Sequence, residues 1–291
     1  LAYKLVLKNF LKMIENQEFK PLLETTKVIA ESAAKELLQS LNSKHYEHKY
    51  DERIQKEVKA TVDRVLENLI LPELLKTGYS VLSEESGNIN NSKSDGYQFI
   101  LDPLDGTYNF LRNSGPSAIS ISFVKIKDSG SIEFIFGVIF DLLNEKLFWG
   151  GKQFGSFSDN IEIFVSDTRN LNESVLFTGF PARFDFKMSK ENMWSLYKDF
   201  AKVRMIGSAA ISLTHVANGS ADSYFENNIM LWDVAAGIAL VEGAGGQVKY
   251  RLNAQSEDLF DCPVLVLATN THLLDKLSVH DELLETSGEM I

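Results

Sequence analysis

Phe99-Ile100-Leu101-Asp102-Pro103-Leu104-Asp105-Gly106-Thr107 reads as the end of a buried strand followed by a turn. The apolar triplet supplies the strand, Pro103 fixes its own φ, and Gly106 relieves the steric limits of the turn. Thr107 then precedes Tyr108-Asn109-Phe110-Leu111, which can open a short helix. The N–H groups of Gly106 and Thr107 would face outward there and form a seat for phosphate. The Thr107 hydroxyl can orient a water, although threonine is equally at home as a helix cap. A second acidic strand end lies upstream, where Glu84 and Glu85 follow Val81-Leu82-Ser83. Strand ends converge on one edge of a sheet, so the two clusters would bring several carboxylates within a few Å. Such like-charge crowding is costly unless compensated. Hard divalent cations such as Mg²⁺ prefer oxygen ligands and remove the cost. Two of them roughly 3.5–4 Å apart stabilise both the attacking and the leaving oxygen of a phosphoryl transfer. The alternative is purely local, because Asp-Pro and Asp-Gly are also common turn dipeptides.

Upstream of this region the periodicity is helical. Residues 1–19 read as a short amphipathic helix, and a second helix follows Pro21 to about residue 41, with Leu23, Val28, Ala30, Ala34, Leu37, Leu38 and Leu41 on its stripe. A third spans 51–71, and Asp63 lies at the edge of its apolar face beside Leu66 and Ile70. From residue 79 the pattern turns to strands, at 79–82, 97–101, 117–126, 132–140 and 145–149, as in an antiparallel meander. Further strands are expected at 161–165, 174–178, 222–226 and 263–268. Helices are expected at 189–202, at 208–218 and from about Asp233. Helices, then strands, then alternating elements predict a layered α/β or α+β protein.

The composition narrows the function. The 291 residues carry 40 acids against 29 Lys and Arg, a net charge of −11. An acidic chain without a basic block is not expected to bind nucleic acid through bulk electrostatics. Cys262 is the only cysteine, which excludes an intrachain disulfide and a cysteine-built metal site. No apolar run approaches the roughly 18 residues of a membrane span, and Lys4, Lys8 and Lys12 interrupt any signal-peptide core. A cytoplasmic protein without membrane association is the expectation.

Two further segments carry candidate chemistry. Asp233, in Trp232-Asp233-Val234-Ala235-Ala236-Gly237, falls where a helix should start, so N-capping competes with a ligand role. Gly207-Ser208-Ala209-Ala210 reads as a tight turn into a helix of small residues. Taken with Glu84-Glu85 and with residues 102–107, in this order, these segments resemble the inositol monophosphatase family. Thr178-Gly179-Phe180-Pro181 and Gly243-Ala244-Gly245-Gly246 resemble it too, and the likeness covers roughly residues 22–277.

That resemblance implies a layered αβαβα sandwich and a Mg²⁺-dependent, Li⁺-sensitive phosphomonoesterase that forms a homodimer. It implies that Glu84, Asp102 and the Leu104 carbonyl hold one Mg²⁺, that Asp102, Asp105 and Asp233 hold a second, and that a third lies near Glu84, with Glu85 in support. Thr107 would position the attacking water with Asp63 as its acidic partner, and the Gly106 and Thr107 amides would receive the phosphate. Asp105, the turn of Gly207, Ser208 and Ala209, and Glu226 would meet hydroxyls of the leaving alcohol near Asp233. Two segments depart from the family pattern: Lys59-Ala60-Thr61-Val62-Asp63, in its Val-Thr spacing, and Gly155-Ser156-Phe157-Ser158-Asp159-Asn160. Tyr108-Asn109-Phe110 resembles the inositol branch more than the 3′-phosphonucleotide branch. Inositol or sugar phosphate is therefore the expected substrate. Fructose 1,6-bisphosphate, histidinol phosphate and 3′(2′),5′-bisphosphate nucleotides are the alternatives within the class, and a partner-binding regulatory protein is the alternative outside it.

The remaining expectations are structural. Residues 1–20 form an added helix, 21–277 a single phosphatase domain with halves meeting near 150, and 278–291 a polar tail. The five histidines, His45, His48, His215, His272 and His280, show no metal-ligand spacing. Arg183 and Arg204 could lie near a phosphate, with an ion pair the competing role for Arg204.

Overall fold

The computed structural model describes residues 2–43, 52–180, 196–252 and 259–277. Two long helices come first. Helix α1 (Ala2–Ser43) runs through Pro21 without a break, so the division into two helices at that proline is not found. The lost N–H costs one backbone bond. Against that cost, Phe19, Leu23, Ala30, Ala33, Ala34 and Leu37 form one buried stripe across it, and tertiary burial outweighs the local penalty. Helix α2 (Glu52–Leu75) extends past the expected end at 71 and likewise contains a proline, Pro72. Val62, Leu66, Ile70 and Leu74 recur every fourth residue and are all buried.

Both helices cover one face of an eight-stranded sheet. Its strands are β1 (Tyr79–Ser83), β2 (Gly87–Ile89), β3 (Lys93–Asp105), β4 (Ala118–Ile126), β5 (Ile132–Asp141), β6 (Lys146–Gly151), β7 (Gly155–Ser158) and β8 (Ile161–Glu162), in the order β2-β1-β3-β4-β5-β6-β7-β8. β1 and β3 are parallel and the other neighbours antiparallel. Alternation along the strands splits the core. Val81, Phe99, Leu101, Ile119, Ile121 and Phe123 face α1 and α2, whereas Leu82, Ile100, Ala118 and Val124 face the opposite layer.

Three short elements differ from expectation. β2 and β7 carry glycine and few β-branched residues, so periodicity did not reveal them. The strand expected at 161–165 stops at Glu162. There the N–H of Ile163 turns to the Ser156 carbonyl and that of Val165 to the Ala244 carbonyl.

The opposite layer consists of α4 (Ala209–Ala217) and α5 (Leu231–Gly243), which follow the short α3 (Thr107–Arg112) in sequence. α5 approaches the first sheet so closely that a Cβ on Gly137 of β5 would sit 2.2 Å from the Ala236 carbonyl oxygen. Beyond these helices lies a second sheet of β9 (Val175–Thr178), β10 (Lys202–Arg204), β11 (Ser223–Ile229), β12 (Gln247–Leu252) and β13 (Val264–Thr269), ordered β10-β9-β11-β13-β12. Residues 202–204 are therefore a strand rather than the end of the helix expected at 189–202, of which 189–195 lie outside the described residues. β13 is buried on both faces: Val264, Val266 and Ala268 pack toward α4 and α5. Its Leu265 and Leu267 join Leu196, Phe200, Leu273 and Leu277 on the far side, where the last short helix, α6 (Leu274–Leu277), lies. The layers run αβαβα, as expected. Among the described residues no helix is long and apolar enough to cross a membrane.

Candidate active site

The acidic turn forms where β3 leaves its register with β4. Asp102 pairs with Ser120 and Asp105 with Ala118, with an irregularity between the two pairs. Asp102 shapes the turn itself, because its Oδ1 accepts the Leu104 N–H at 2.9 Å. The Leu104 carbonyl in turn accepts the Thr107 hydroxyl at 3.0 Å. Gly106 is in the left-handed region, at φ 78° and ψ 35°. A side chain there would meet the Pro116 carbonyl at 2.8 Å, so conformation and space both call for glycine. Asn109 then ties the turn to the second half of the chain: its Nδ2 donates to the Pro116 carbonyl at 2.8 Å and to the Ile206 carbonyl at 2.7 Å.

Glu84, Asp102 and Asp233 converge. Each offers a carboxylate oxygen, and the three atoms lie within 4.8 Å of one another. Asp102 is almost fully buried, and its Oδ2 has no hydrogen-bond partner among the described residues. Burial above all, and then the charges of Glu84, Asp105 and Asp233, push its carboxyl well above the usual range. Asp105 is pushed up to about 6 by burial. The Ser208 hydroxyl and the Ala210 N–H, which donate to Oδ2 at 2.6 and 2.8 Å, oppose that rise. Such an all-oxygen donor set with an unmatched buried lone pair suits a hard divalent cation.

Asp233 arrives differently from expectation. Met230 is the N-cap of α5, and Asp233 is the third helical residue, its Oδ2 accepting the Met230 N–H at 3.2 Å. A carboxylate three residues past the cap still closes the helix end, and from there it reaches the acid cluster. Ser208 caps α4, accepting the Ile211 N–H at 3.2 Å while it donates to Asp105.

A cavity of about 230 Å³ opens beside the acids, lined by Asp105, Thr178, Gly179, Gly207, Ser208, Ala209, Glu226 and Asp233, among others. Glu226 accepts the Tyr224 hydroxyl at 2.6 Å. Burial, opposed by that bond, pushes its carboxyl up to about 7. Gly179 makes room for it, since a Cβ there would overlap the Glu226 carboxylate at 2.0 Å. Asp63 and Thr107 are both buried, on α2 and on the adjacent α3.

The other expectations resolve simply. Arg183, Pro181, His45, His48 and His280 lie outside the described residues. Arg204 is exposed and donates to the Val203 carbonyl; the ion pair expected of it is not found among the described residues. His215 packs against Phe177, ring centroids 5.2 Å apart, with burial lowering its pKa. His272 pairs with Asp167 at 2.7 Å. The sequence did not single out Glu67 or Tyr224, nor the bond by which Asn109 reaches Ile206. The signal for Glu67 was an acid one helical turn after Asp63 within an apolar stripe.

Comparisons with known proteins show the family and the fold. The family model described as "Inositol monophosphatase family" matches residues 18–285. The chain is 33% identical over 216 residues to the Nus factor SuhB of Pasteurella multocida, covering 71% of this chain and 78% of that one. It is 34% identical over 231 residues to the inositol-1-monophosphatase of Synechocystis, covering 76% and 73%. The solved inositol monophosphatase from Anabaena superposes with a TM-score of 0.74 at 29% identity, over 93% of this chain and 98% of that one.

Proposed function

The chain belongs to the inositol monophosphatase family, and from that premise we propose that it is a Mg²⁺-dependent phosphatase acting on inositol monophosphate or a related sugar or polyol phosphate. One observation carries the proposal: the carboxylates of Glu84, Asp102 and Asp233 converge, and Asp102, at the turn containing Gly106 and Thr107, has a buried oxygen with no hydrogen-bond partner among the described residues. Glu84, Asp102, Asp105, Asp233 and the Leu104 carbonyl would hold two to three ions. When bound, Mg²⁺ neutralises a phosphate, acidifies a water and stabilises a departing alkoxide.

The chain's own residues do the rest. Thr107, anchored through its hydroxyl to the Leu104 carbonyl, presents its oxygen to the attacking water, and Asp63 takes the water's proton. The amides of Gly106 and Thr107 orient the phosphate. Asp105, fixed by Ser208 and Ala210, shares the cleft with Glu226, Asp233 and the 207–209 turn, and these groups meet the hydroxyls of the leaving alcohol. A carboxylate accepts hydrogen bonds from a polyhydroxylated ligand, which is why a cyclitol or sugar is preferred to a nucleotide. Family resemblance adds inhibition by Li⁺ and a homodimer.

The test is phosphate release with and without Mg²⁺ and Li⁺. The panel comprises inositol 1-phosphate, fructose 1,6-bisphosphate, histidinol phosphate, 3′-phosphoadenosine 5′-phosphate and 2′-AMP. Preference for inositol 1-phosphate, lost in Asp105→Asn, is expected. No release from any of them by folded, Mg²⁺-binding protein would overturn the proposal. It would favour the second reading, a partner-binding regulator, which the likeness to a protein named a Nus factor supports.

A further inference from the structure

One buried charge has no part in that chemistry. Glu67 of α2 is only 6% exposed and lies four residues after Asp63, on the same helix face. Its two carboxylate oxygens are used separately. Oε1 accepts the Ser83 hydroxyl at 2.5 Å and Oε2 accepts the Ser86 hydroxyl at 2.9 Å. Ser83 is the last residue of β1, Gly87 is the first of β2, and the two are paired across the hairpin. Glu84-Glu85-Ser86 is the turn between them. The Glu84 N–H is held by the Leu101 carbonyl at 3.1 Å, one residue before Asp102. Glu67 thus grips both ends of the turn that carries Glu84.

For stability alone this is a poor choice of residue. Burying a carboxylate is expensive, and a well-packed apolar side chain would do as well or better. The arrangement is explained if the turn must be held in one position. An exposed hairpin turn is otherwise among the more mobile parts of a sheet, and a metal-binding carboxylate loses affinity when its supporting partners are removed, typically 10–100-fold. We propose that Glu67 is a positioning residue: through Ser83 and Ser86 it fixes the β1–β2 turn so that the Glu84 carboxylate meets those of Asp102 and Asp233. The proposal rests on reading that trio as a divalent-cation site.

The full chain is titrated with Mn²⁺ alone by calorimetry, as wild type, Glu67→Ala, Glu67→Gln, the Ser83→Ala/Ser86→Ala double variant and the triple variant with Glu67→Ala. Hydrogen exchange is followed at residues 84–87 in the same proteins without metal. Mn²⁺ affinity is expected to fall 10–100-fold in Glu67→Ala, with faster exchange at the turn. The serine double variant should show the same loss and the triple variant no further loss, because all three groups act as one unit. Glu67→Gln keeps an acceptor for one serine and should restore most of the affinity. Ser86 is exposed, so Ser86→Ala alone tests half of the clamp without endangering the fold; it should show a smaller loss in the same direction. Wild type that binds Mn²⁺, with Glu67→Ala binding it within twofold and with unchanged exchange at 84–87, overturns the proposal alone. Wild type that binds no Mn²⁺ overturns the metal site and this proposal with it.

Discussion

Replacing Glu226 with glutamine should make the metal-free protein more stable at neutral pH and poorer in function. Burial raises this carboxyl from 4.5 to about 7 in the folded chain. A folded-state pKa above the unfolded one means that the folded state holds the proton more tightly. No penalty exists below about pH 4.5, and it grows as pH rises toward 7. At pH 8 it reaches its full size, about 3 kcal/mol at 1.36 kcal/mol per unit. Glu226→Gln removes the charge and keeps an oxygen for the Tyr224 hydroxyl, so the stabilisation should appear at pH 8 and vanish at pH 4.5. A domain of this size gains roughly 2–4 °C per kcal/mol, which predicts a rise in Tm of roughly 6–12 °C at pH 8. The assay is thermal unfolding in a chelator at both pH values, beside phosphate release in Mg²⁺, where KM for a polyol phosphate should rise. An equal Tm shift at both pH values, or a fall at pH 8, would refute the reading that burial raises the Glu226 carboxyl.

Two further substitutions probe close contacts. Gly137→Ala puts a methyl group 2.2 Å from the Ala236 carbonyl, and neither the sheet nor α5 can yield cheaply. A loss of about 3 kcal/mol, read as a lowered urea midpoint, is expected. Gly179→Ala displaces the Glu226 carboxylate from 2.0 Å without touching the acid cluster. It should raise KM for a polyol phosphate while Mn²⁺ affinity stays within twofold of wild type, as calorimetry can show.

The layered fold was legible because its strands and helices alternate with clear periods, and the doubly buried β13 announced itself as a continuous apolar run. The acids at 84, 102 and 105 were legible because strand ends share an edge. What escaped was decided by contacts distant in sequence. Pro21 looked like a helix break because the stripe from Leu23 onward was not seen to continue to Phe19 on its other side, which the structure buries with it. β7 escaped because Ser156 and Gly155 hold their place by close packing, the Ser156 hydroxyl donating to the Leu240 carbonyl at 2.7 Å. Asp233 was placed at the cap because cap and third position favour the same residue type. Glu67 drew no attention in the sequence, because its partners Ser83 and Ser86 lie 16 and 19 residues away.

The cleft is stitched by bonds between residues far apart along the chain: Asn109 to Ile206 spans 97 positions, and Asp105 to Ser208 spans 103. No fragment of either half can present the whole constellation, so the site comes into being only when both sheets have docked on the helices between them. Loop closure of that length is among the later events of folding. A cation held by Glu84, Asp102 and Asp233 would then bind the native state and little before it. Its effect would fall on the escape rate from the native basin, prolonging the lifetime of the folded molecule while leaving the speed of its formation almost unchanged.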